Sequence, residues 1–599
     1  MANLHFNAWT QQYKKPFGAI HAGNEVSLGL TVDFPAEKID RVEVCLTKDS
    51  EQPVYYRMEK RGQTYKCHIT ITTAGCYYYF FQVVFKNQRI RYLGKGCGGE
   101  GKECDKFADV KSYQLTVYAS QTQRPSWYRD AVVYQIFPDS FANGNDDGHV
   151  NGNKKNILIY GHHDDKPMYV KDDNNNIQRW TFYGGNLKGI TQKINYLKQL
   201  GVNTIYLNPI FQADSVHRYD TNDFMKIDDM LGTEDDFREL VNKLHANGMH
   251  LILDGVFNHV GQNSRYFNRN GQYGANVGAY RNRESPYYSW FSFIKYPDKY
   301  KSWWGVVDLP TVDHHNQHYQ QFIYGRRNSV LSKWNDIGVD GWRLDVADEL
   351  SDEFLTAIRQ NLNHYSDKIL IGEVWEDASN KHSYGHRRAY TDGGNLDGVM
   401  NYPVRKMIIN FLTGKQDGVE TGYQLMTQWE NYPRNFWLNC LNNIGTHDTK
   451  RIRRGLGDNI DLVKLAFRLL FCFPGIPCIY YGDEAGLDGG VDPDNRRFYP
   501  WGHQDWDLVN FVSACIRERK KSDAFKDGNL AVMAGKDLLG VIRYTPASTE
   551  ICLVNRSDKP LKVAGNYQLM GVTVPVKQMI ADHLANLTLP AYGSQLLKL

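Results

Sequence analysis

The chain has no stretch of roughly 18 consecutive apolar residues, the length a membrane-spanning helix needs. A membrane partner is therefore not expected. Residues 1–17 lack the apolar core of a signal peptide, so no export signal is expected and the cytoplasm is the expected location. Long basic runs are missing and the formal net charge is only +3, which argues against nucleic acid or an anionic lipid surface as the main partner. Zinc-type cysteine spacing is missing as well. The ten cysteines read as free thiols of a reducing compartment; Cys97 and Cys104 could pair or share a metal, but their spacing fits no common zinc pattern. No internal repeat or low-complexity tract stands out.

What is present is ordinary globular usage, 42% hydrophobic and 23% charged. A chain of 599 residues exceeds what one core organises, so about two to four domains are expected. The aromatic content is high, with 39 Tyr, 27 Phe and 13 Trp. Such residues fill cores and interfaces, and their flat rings also stack on sugar faces; composition alone favours the first use.

Three textures follow one another. Residues 1–121 carry short alternating runs, such as Val26–Val32, Val42–Leu46 and Tyr77–Val84, which predict an N-terminal β-sandwich. Within them Gly94-Lys-Gly-Cys-Gly-Gly99 matches a dinucleotide-binding glycine pattern, but no helix follows to bind a phosphate, so it reads as a loop. Over 122–524 short apolar strands alternate with helix-like segments. The strand candidates are Ala131–Pro138, Val202–Pro209, Leu251–Val260, Gly341–Ala347, Ile369–Trp375, Gly398–Tyr402, Asn442–Asp448 and Cys478–Asp483. Eight such alternations predict a closed (β/α)8 TIM barrel. The long interval of about 261–335, rich in Tyr, Asn and Trp, predicts an inserted subdomain beside the active face. Alternation returns over 525–599 and predicts a C-terminal β-sandwich.

Polar residues gather where these strands end. They are Asp254, Asn258 and His259 on the third strand, Arg343 and Asp345 on the fourth, Glu373 on the fifth, and His447 and Asp448 on the seventh. Barrel enzymes place their chemistry on that rim. Each residue has a bland explanation as a helix cap, a loop anchor or an ion-pair partner; Arg343 could simply pair with Asp345, two residues away on the same face. Four acids, an arginine and two histidines on one rim make a joint structural explanation improbable. Metal-assisted hydrolysis would need His-x-His or His-Glu-x-x-His spacing, which the strand ends lack. Glycoside hydrolysis needs one carboxylate nucleophile and one protonated carboxyl, and neighbouring rim positions on the fourth and fifth strands can supply them.

These four strand-end segments, in this order, resemble the α-amylase family of glycoside hydrolases, as do Phe182–Ile190, His217–Asp220, Gly475–Glu484 and Asp492–Arg496. The N-terminal β domain and Asp397–Pro403 are similar to its neopullulanase, cyclomaltodextrinase and maltogenic amylase branch. The resemblance covers roughly residues 122 to 525. It implies a retaining endo-type α-glucan hydrolase with Asp345 as nucleophile, held ionised by Arg343, and Glu373 as general acid and base. It also implies that Asp448, His447 and His259 hold the sugar at the cleavage point, that Tyr219 stacks beneath it, and that Asp492 and Arg496 contact the next sugar. The implied substrates are starch, pullulan, cyclodextrins or maltooligosaccharides, cut at α-1,4 links and with α-1,6 links as a second target. No cofactor is implied for the chemistry. The loop carrying Asn143, Asn145 and Asp147 partly resembles the branch's calcium loop; it could hold a structural calcium ion or close as an Asx-rich turn. A homodimer, or glucan binding by the N-terminal domain, follows from the branch alone. The competing readings are a type II pullulanase or α-amylase, a mainly transglycosylating enzyme, and a non-catalytic glucan-binding protein.

Overall fold

The computed structural model describes residues 3–121, 124–174, 176–571 and 574–599. The domain boundary expected at residue 122 lies outside the described residues. At the N-terminal end a five-stranded and a seven-stranded sheet enclose a core that includes Leu28, Leu30, Val44, Phe81 and Leu115. Glu25–Val32, Ile39–Lys48 and Gly75–Phe85 are its longest strands. The glycine run that mimics a nucleotide loop joins two strands of this unit, Ile90–Lys95 and Gly101–Cys104. Its glycines serve packing. Gly98 has φ +59, and a Cβ there would stand 2.8 Å from the Tyr423 ring and 2.9 Å from Trp9.

Eight parallel strands then close a barrel: β1 (Val133–Ile136), β2 (Thr204–Leu207), β3 (His250–Gly255), β4 (Gly341–Leu344), β5 (Ile369–Val374), β6 (Gly398–Asn401), β7 (Leu441–Asn443) and β8 (Ile476–Tyr480). Closure is direct, because β1 pairs with both β2 and β8. All eight expected strands are present. Several stop earlier than the apolar pattern suggested: β3 ends at Gly255, not Val260, and β4 at Leu344, not Ala347. The residues beyond remain buried but leave the ladder, and they build the rim.

The strands are buried on both faces, as parallel strands under helices must be. One parity faces outward to the helices, for example Ile205, Leu207, Leu251, Leu253, Trp342 and Leu344. The other parity fills the barrel, with Val133, Tyr206, Ile252, Ile371, Met400, Leu441 and Cys478 in one cluster. Gly341 begins β4 because a Cβ there would meet Ile369 at 2.3 Å. Among the surrounding helices, α1 (Glu234–Ala246) shows how sequence sets the boundaries. Thr233 and Asp236 form a capping box, Phe237, Leu240, Val241 and Leu244 make the buried stripe, and Gly248 at φ +67 turns the chain away.

After the barrel, a five-stranded antiparallel sheet packs one face on the barrel helices through Val532, Leu539, Val541 and Cys552. A two-stranded ribbon and helix Val574–Leu584 cover its other face, with Ile580, Leu584 and Leu589 in the shared core. All ten cysteines are free, with only Cys97 exposed. Among the described residues no helix is long and apolar enough to cross a membrane.

The N-terminal unit is anchored to the barrel by a buried charge pair. Lys14 Nζ lies 2.6 Å from Glu430 Oε1, and Trp9 Nε1 donates to Glu430 Oε2 at 2.9 Å. Lys14 is 1% and Glu430 5% exposed. Removing one member strands a buried charge, which costs about 3–5 kcal/mol, whereas replacing both with apolar residues costs far less. Glu430→Ala is therefore expected to destabilise the protein by about that amount in urea denaturation, and Lys14→Met with Glu430→Met to recover most of it. Equal losses in the two variants would show that the pair is not the anchor.

Candidate active site

The inward rows of the barrel change character along their length. Val133 is followed two residues later by Gln135, Tyr206 by Asn208, Ile252 by Asp254, Gly341 by Arg343 and Asp345, and Ile371 by Glu373. The period of two keeps each pair on the same face, so the apolar filling gives way to a polar floor at the C-terminal rim. Arg343, 1% exposed, is the centre of that floor. Its Nη1 donates to Asp254 Oδ1 at 2.7 Å and Asp345 Oδ1 at 3.0 Å, and its Nη2 lies 2.8 Å from Glu373 Oε2. The Nε donates to Met400 Sδ at 3.4 Å.

Around this guanidinium Asp254 and Glu373 accept further hydrogen bonds. Tyr206 and Tyr219 hydroxyls donate to Asp254 Oδ2 at 2.7 and 2.9 Å. Glu373 Oε2 accepts from Val346 N at 2.8 Å, and Oε1 from Trp375 Nε1 at 3.1 Å. Val346 directs its N–H there only by adopting φ 39°, ψ 54°, a left-handed conformation that is strained for a β-branched side chain. The amides of Gln135 and Asn208 lie 2.9 and 3.2 Å from His447 Nδ1. With Nδ1 accepting, the proton of the neutral ring sits on Nε2, which is 2.6 Å from the Tyr219 hydroxyl and 3.1 Å from Asp448 Oδ2.

Four carboxyls, Asp254, Asp345, Glu373 and Asp448, share two guanidiniums, those of Arg343 and Arg496, the latter 3.7 Å from Asp448. Mutual repulsion in such a cluster opposes full ionisation. Burial raises the Asp345 carboxyl, and Arg343 draws it back. Burial in the cleft, then the facing Glu373 charge, pushes Asp448 up to about 7. The histidines go the other way. Burial takes His447 well below its ordinary value, helped by Arg496 and Arg343, and takes His259 down to about 4.

A cavity of about 600 Å³ opens over these groups. Asp345, Glu373, Asp448, His259, His447, Tyr219, Asp492 and Arg496 all line it, while Arg343 lies beneath its floor. Asp492 and Arg496 pair at 2.8 Å. His259 Nε2 makes no hydrogen bond among the described residues, and its ring stacks on Trp303 at 5.3 Å.

Asn143, Asn145 and Asp147 do not join this cavity. The Asn143 and Asn145 amides donate to the carbonyls of Gly148 and His149, and Asp147 accepts from His149 Nδ1. A calcium ion takes six to eight oxygens. Here amide nitrogens occupy the carbonyls, and the one carboxylate is exposed and bonded to a histidine. The residues as they stand do not fit calcium; they close an Asx-rich turn.

Residues without a barrel-end signal complete the walls. Tyr169 and Trp180 come from the segment between β1 and β2, which folds as short strands Ile157–Ile159, Val170–Lys171 and Ile177–Phe182. The Tyr169 hydroxyl lies 2.8 Å and 3.0 Å from the two Asp492 carboxylate oxygens and accepts from Arg496 Nη1 at 3.2 Å. Trp303 and Trp304 come from the interval between β3 and β4, and Trp375 follows β5. Gln135 and Asn208 were detectable, being polar residues at the ends of apolar strands. Of the wall aromatics only Trp375 lay at a predicted strand end; Tyr169, Trp180, Trp303 and Trp304 were not detectable, because their segments carry no barrel periodicity.

The profile of the family described as Alpha amylase, catalytic domain, matches residues 135–528. The chain is 31% identical to the maltogenic α-amylase of Bacillus acidopullulyticus over 78% of this chain and 76% of that protein. It is 32% identical to an amylopullulanase of Thermoanaerobacter thermohydrosulfuricus over 91% of this chain and 41% of that protein. The chain spans less than half the length of the amylopullulanases it matches. Among solved structures, the cyclic α-maltosyl-(1→6)-maltose hydrolase of Arthrobacter globiformis, bound to that cyclic sugar, superposes with a TM-score of 0.68 at 28% identity, covering 80% of this chain and 100% of that one.

His259 gives a pH prediction. The unfolded chain binds a proton there below its ordinary value of 6.5, and the folded protein only below about 4. Stability attached to this group is thus present above pH 6.5 and lost as pH falls toward 4. Relative to His259→Gln, the wild type should lose up to about 3 kcal/mol between pH 7 and pH 4 in urea denaturation. A constant difference would mean the ring is not held neutral.

Proposed function

Because the chain belongs to the α-amylase family, we propose that it is a retaining hydrolase of α-1,4-glucosidic bonds in glucans such as pullulan, cyclodextrins and maltooligosaccharides. The carrying observation is the placement of Asp345 and Glu373. Leu344 of β4 is in register with Gly372 of β5, so the next residues, Asp345 and Glu373, stand abreast on strands about 4.8 Å apart. That spacing suits the separation of about 5–5.5 Å used by retaining enzymes.

Asp345 attacks the anomeric carbon while Glu373 gives its proton to the departing glycosidic oxygen, forming a covalent β-glycosyl ester. Glu373 then takes a proton from water, the water oxygen attacks the same carbon, and Asp345 leaves as carboxylate. The sugar is released with its α configuration restored. Negative charge moves from Asp345 to Glu373 in the first half and returns in the second. Arg343, 3.0 Å from one carboxyl and 2.8 Å from the other, faces about one unit of charge from this pair throughout. Asp448, His447 and His259 are placed to hold hydroxyls, and the rings of Trp180, Trp303, Trp304 and Trp375 offer flat apolar faces to pyranoses.

Digestion of pullulan with product chromatography tests the linkage. Panose is the expected product, and maltotriose would mean α-1,6 cleavage instead. Proton NMR of fresh product should show the α anomer first; the β anomer would remove the covalent ester. Glu373→Gln should lower kcat by about 10²–10⁴-fold and Asp345→Asn should abolish turnover. Glucan binding by the unmodified protein without cleavage would leave a non-catalytic binding protein.

Tyr169 supplies a second prediction. Its hydroxyl holds Asp492 and Arg496 in place. Tyr169→Phe should raise KM for maltooligosaccharides roughly tenfold or more, the value of one hydrogen bond to a charged group, with kcat nearly unchanged. An unaltered KM would remove Tyr169 from the sugar-binding wall.

A further inference from the structure

At the opposite end of the barrel from the catalytic carboxyls, three metal-ligating side chains meet. His245 lies in the last turn of α1, His250 opens β3, and Asp340 immediately precedes β4. One ligand atom from each lies within 4.8 Å of the other two. His245 Nε2 is 2.9 Å from Asp340 Oδ2, and His250 Nδ1 is 3.4 Å from Asp340 Oδ1. The groups are held in place. Asp340 Oδ2 also accepts from Leu251 N at 2.8 Å, and the His250 ring stacks on Trp127 with centroids 4.3 Å apart.

Asp340 thus faces an imidazole nitrogen with each of its two oxygens. His250 Nδ1 is buried and faces Asp340 Oδ1 at 3.4 Å, where the interaction is at most a long hydrogen bond. A separation of 3.4 Å is long for a hydrogen bond. It suits two ligands on one ion, because metal–ligand bonds of about 2.0–2.2 Å at the tetrahedral angle put ligand atoms about 3.3 Å apart. Two imidazoles and one carboxylate suit a borderline divalent transition ion more than calcium or magnesium, which prefer oxygen. The side chains of His245, His250 and Asp340 are 39%, 24% and 14% exposed, so water can reach the remaining coordination positions.

We propose that His245, His250 and Asp340 form a binding site for a divalent transition-metal ion of the zinc type. The ion clips the end of α1 to the starts of β3 and β4 and takes no part in glucan hydrolysis. Binding releases the imidazole protons it displaces, so affinity rises with pH.

The test is equilibrium dialysis of the full chain against Zn²⁺, with metal analysis and calorimetric titration. One zinc ion per chain is expected for the wild type. His245→Gln keeps an amide donor for Asp340 but is a poor ligand, so it should weaken binding tenfold or more while pullulan hydrolysis stays unchanged. Asp340→Asn should abolish binding; should it fail to fold, His250→Gln replaces it. Absence of zinc in the wild type, or equal affinity in wild type and His245→Gln, would overturn the site and leave a hydrogen-bonded ion pair.

Discussion

The guanidinium of Arg343 lies 1% exposed among Asp254, Asp345 and Glu373, and the rim of the barrel is organised around it. Burying one such charge costs several kcal/mol unless it is paired and hydrogen-bonded. The cation therefore requires carboxylates, and burial pushes the carboxyls of Asp254 and Asp345 up while the cation draws them back. Asp254 and Glu373 find further donors: two tyrosine hydroxyls on Asp254, and a backbone amide and an indole on Glu373. Losing any of these would leave a buried lone pair unmet. These carboxyls are thus held in place by the fold itself.

That arrangement depends on the barrel beneath it. Parallel strands hold neighbouring residues at a set spacing and in a set register, so residues from β4 and β5 stand side by side without a loop to position them. The same inward rows that fill the barrel with Val133, Ile252 and Ile371 present Gln135, Asp254 and Glu373 two residues later. The apolar layers below keep water from the floor, and the strained Val346 marks where the β4 backbone leaves the ladder to aim an N–H at Glu373. Strain of this kind persists only where the surroundings over-determine it.

The walls obey different physics. Tyr169 and Trp180 on one side, and Trp303 and Trp304 on the other, come from segments between barrel strands that have few regular elements. Their positions are set by contacts such as the hydrogen bonds of Tyr169 with Asp492 and Arg496 and the stacking of Trp303 on His259. The floor follows from strand register, while the walls depend on what the loops bring together.

The eight strands were legible because apolar runs of strand length alternate with amphipathic helices, and local periodicity survives in one dimension. The acids were legible because a charge at the end of an apolar strand is costly enough to need a reason. Gln135 and Asn208 carried the same signal in weaker form, being polar but uncharged. The Asx-rich loop at Asn143 was ambiguous in sequence, since oxygen-bearing side chains serve a turn or a cation equally; only the direction of the amides distinguished them. Tyr169 meeting Asp492, more than 300 residues away, and His245, His250 and Asp340 meeting at the far rim depended on tertiary structure alone. Sequence determined which residues were expensive to bury, because that is a property of each residue and its neighbours in the chain. Tertiary structure decided which of them meet, because a contact between distant segments is set by packing and leaves no local pattern.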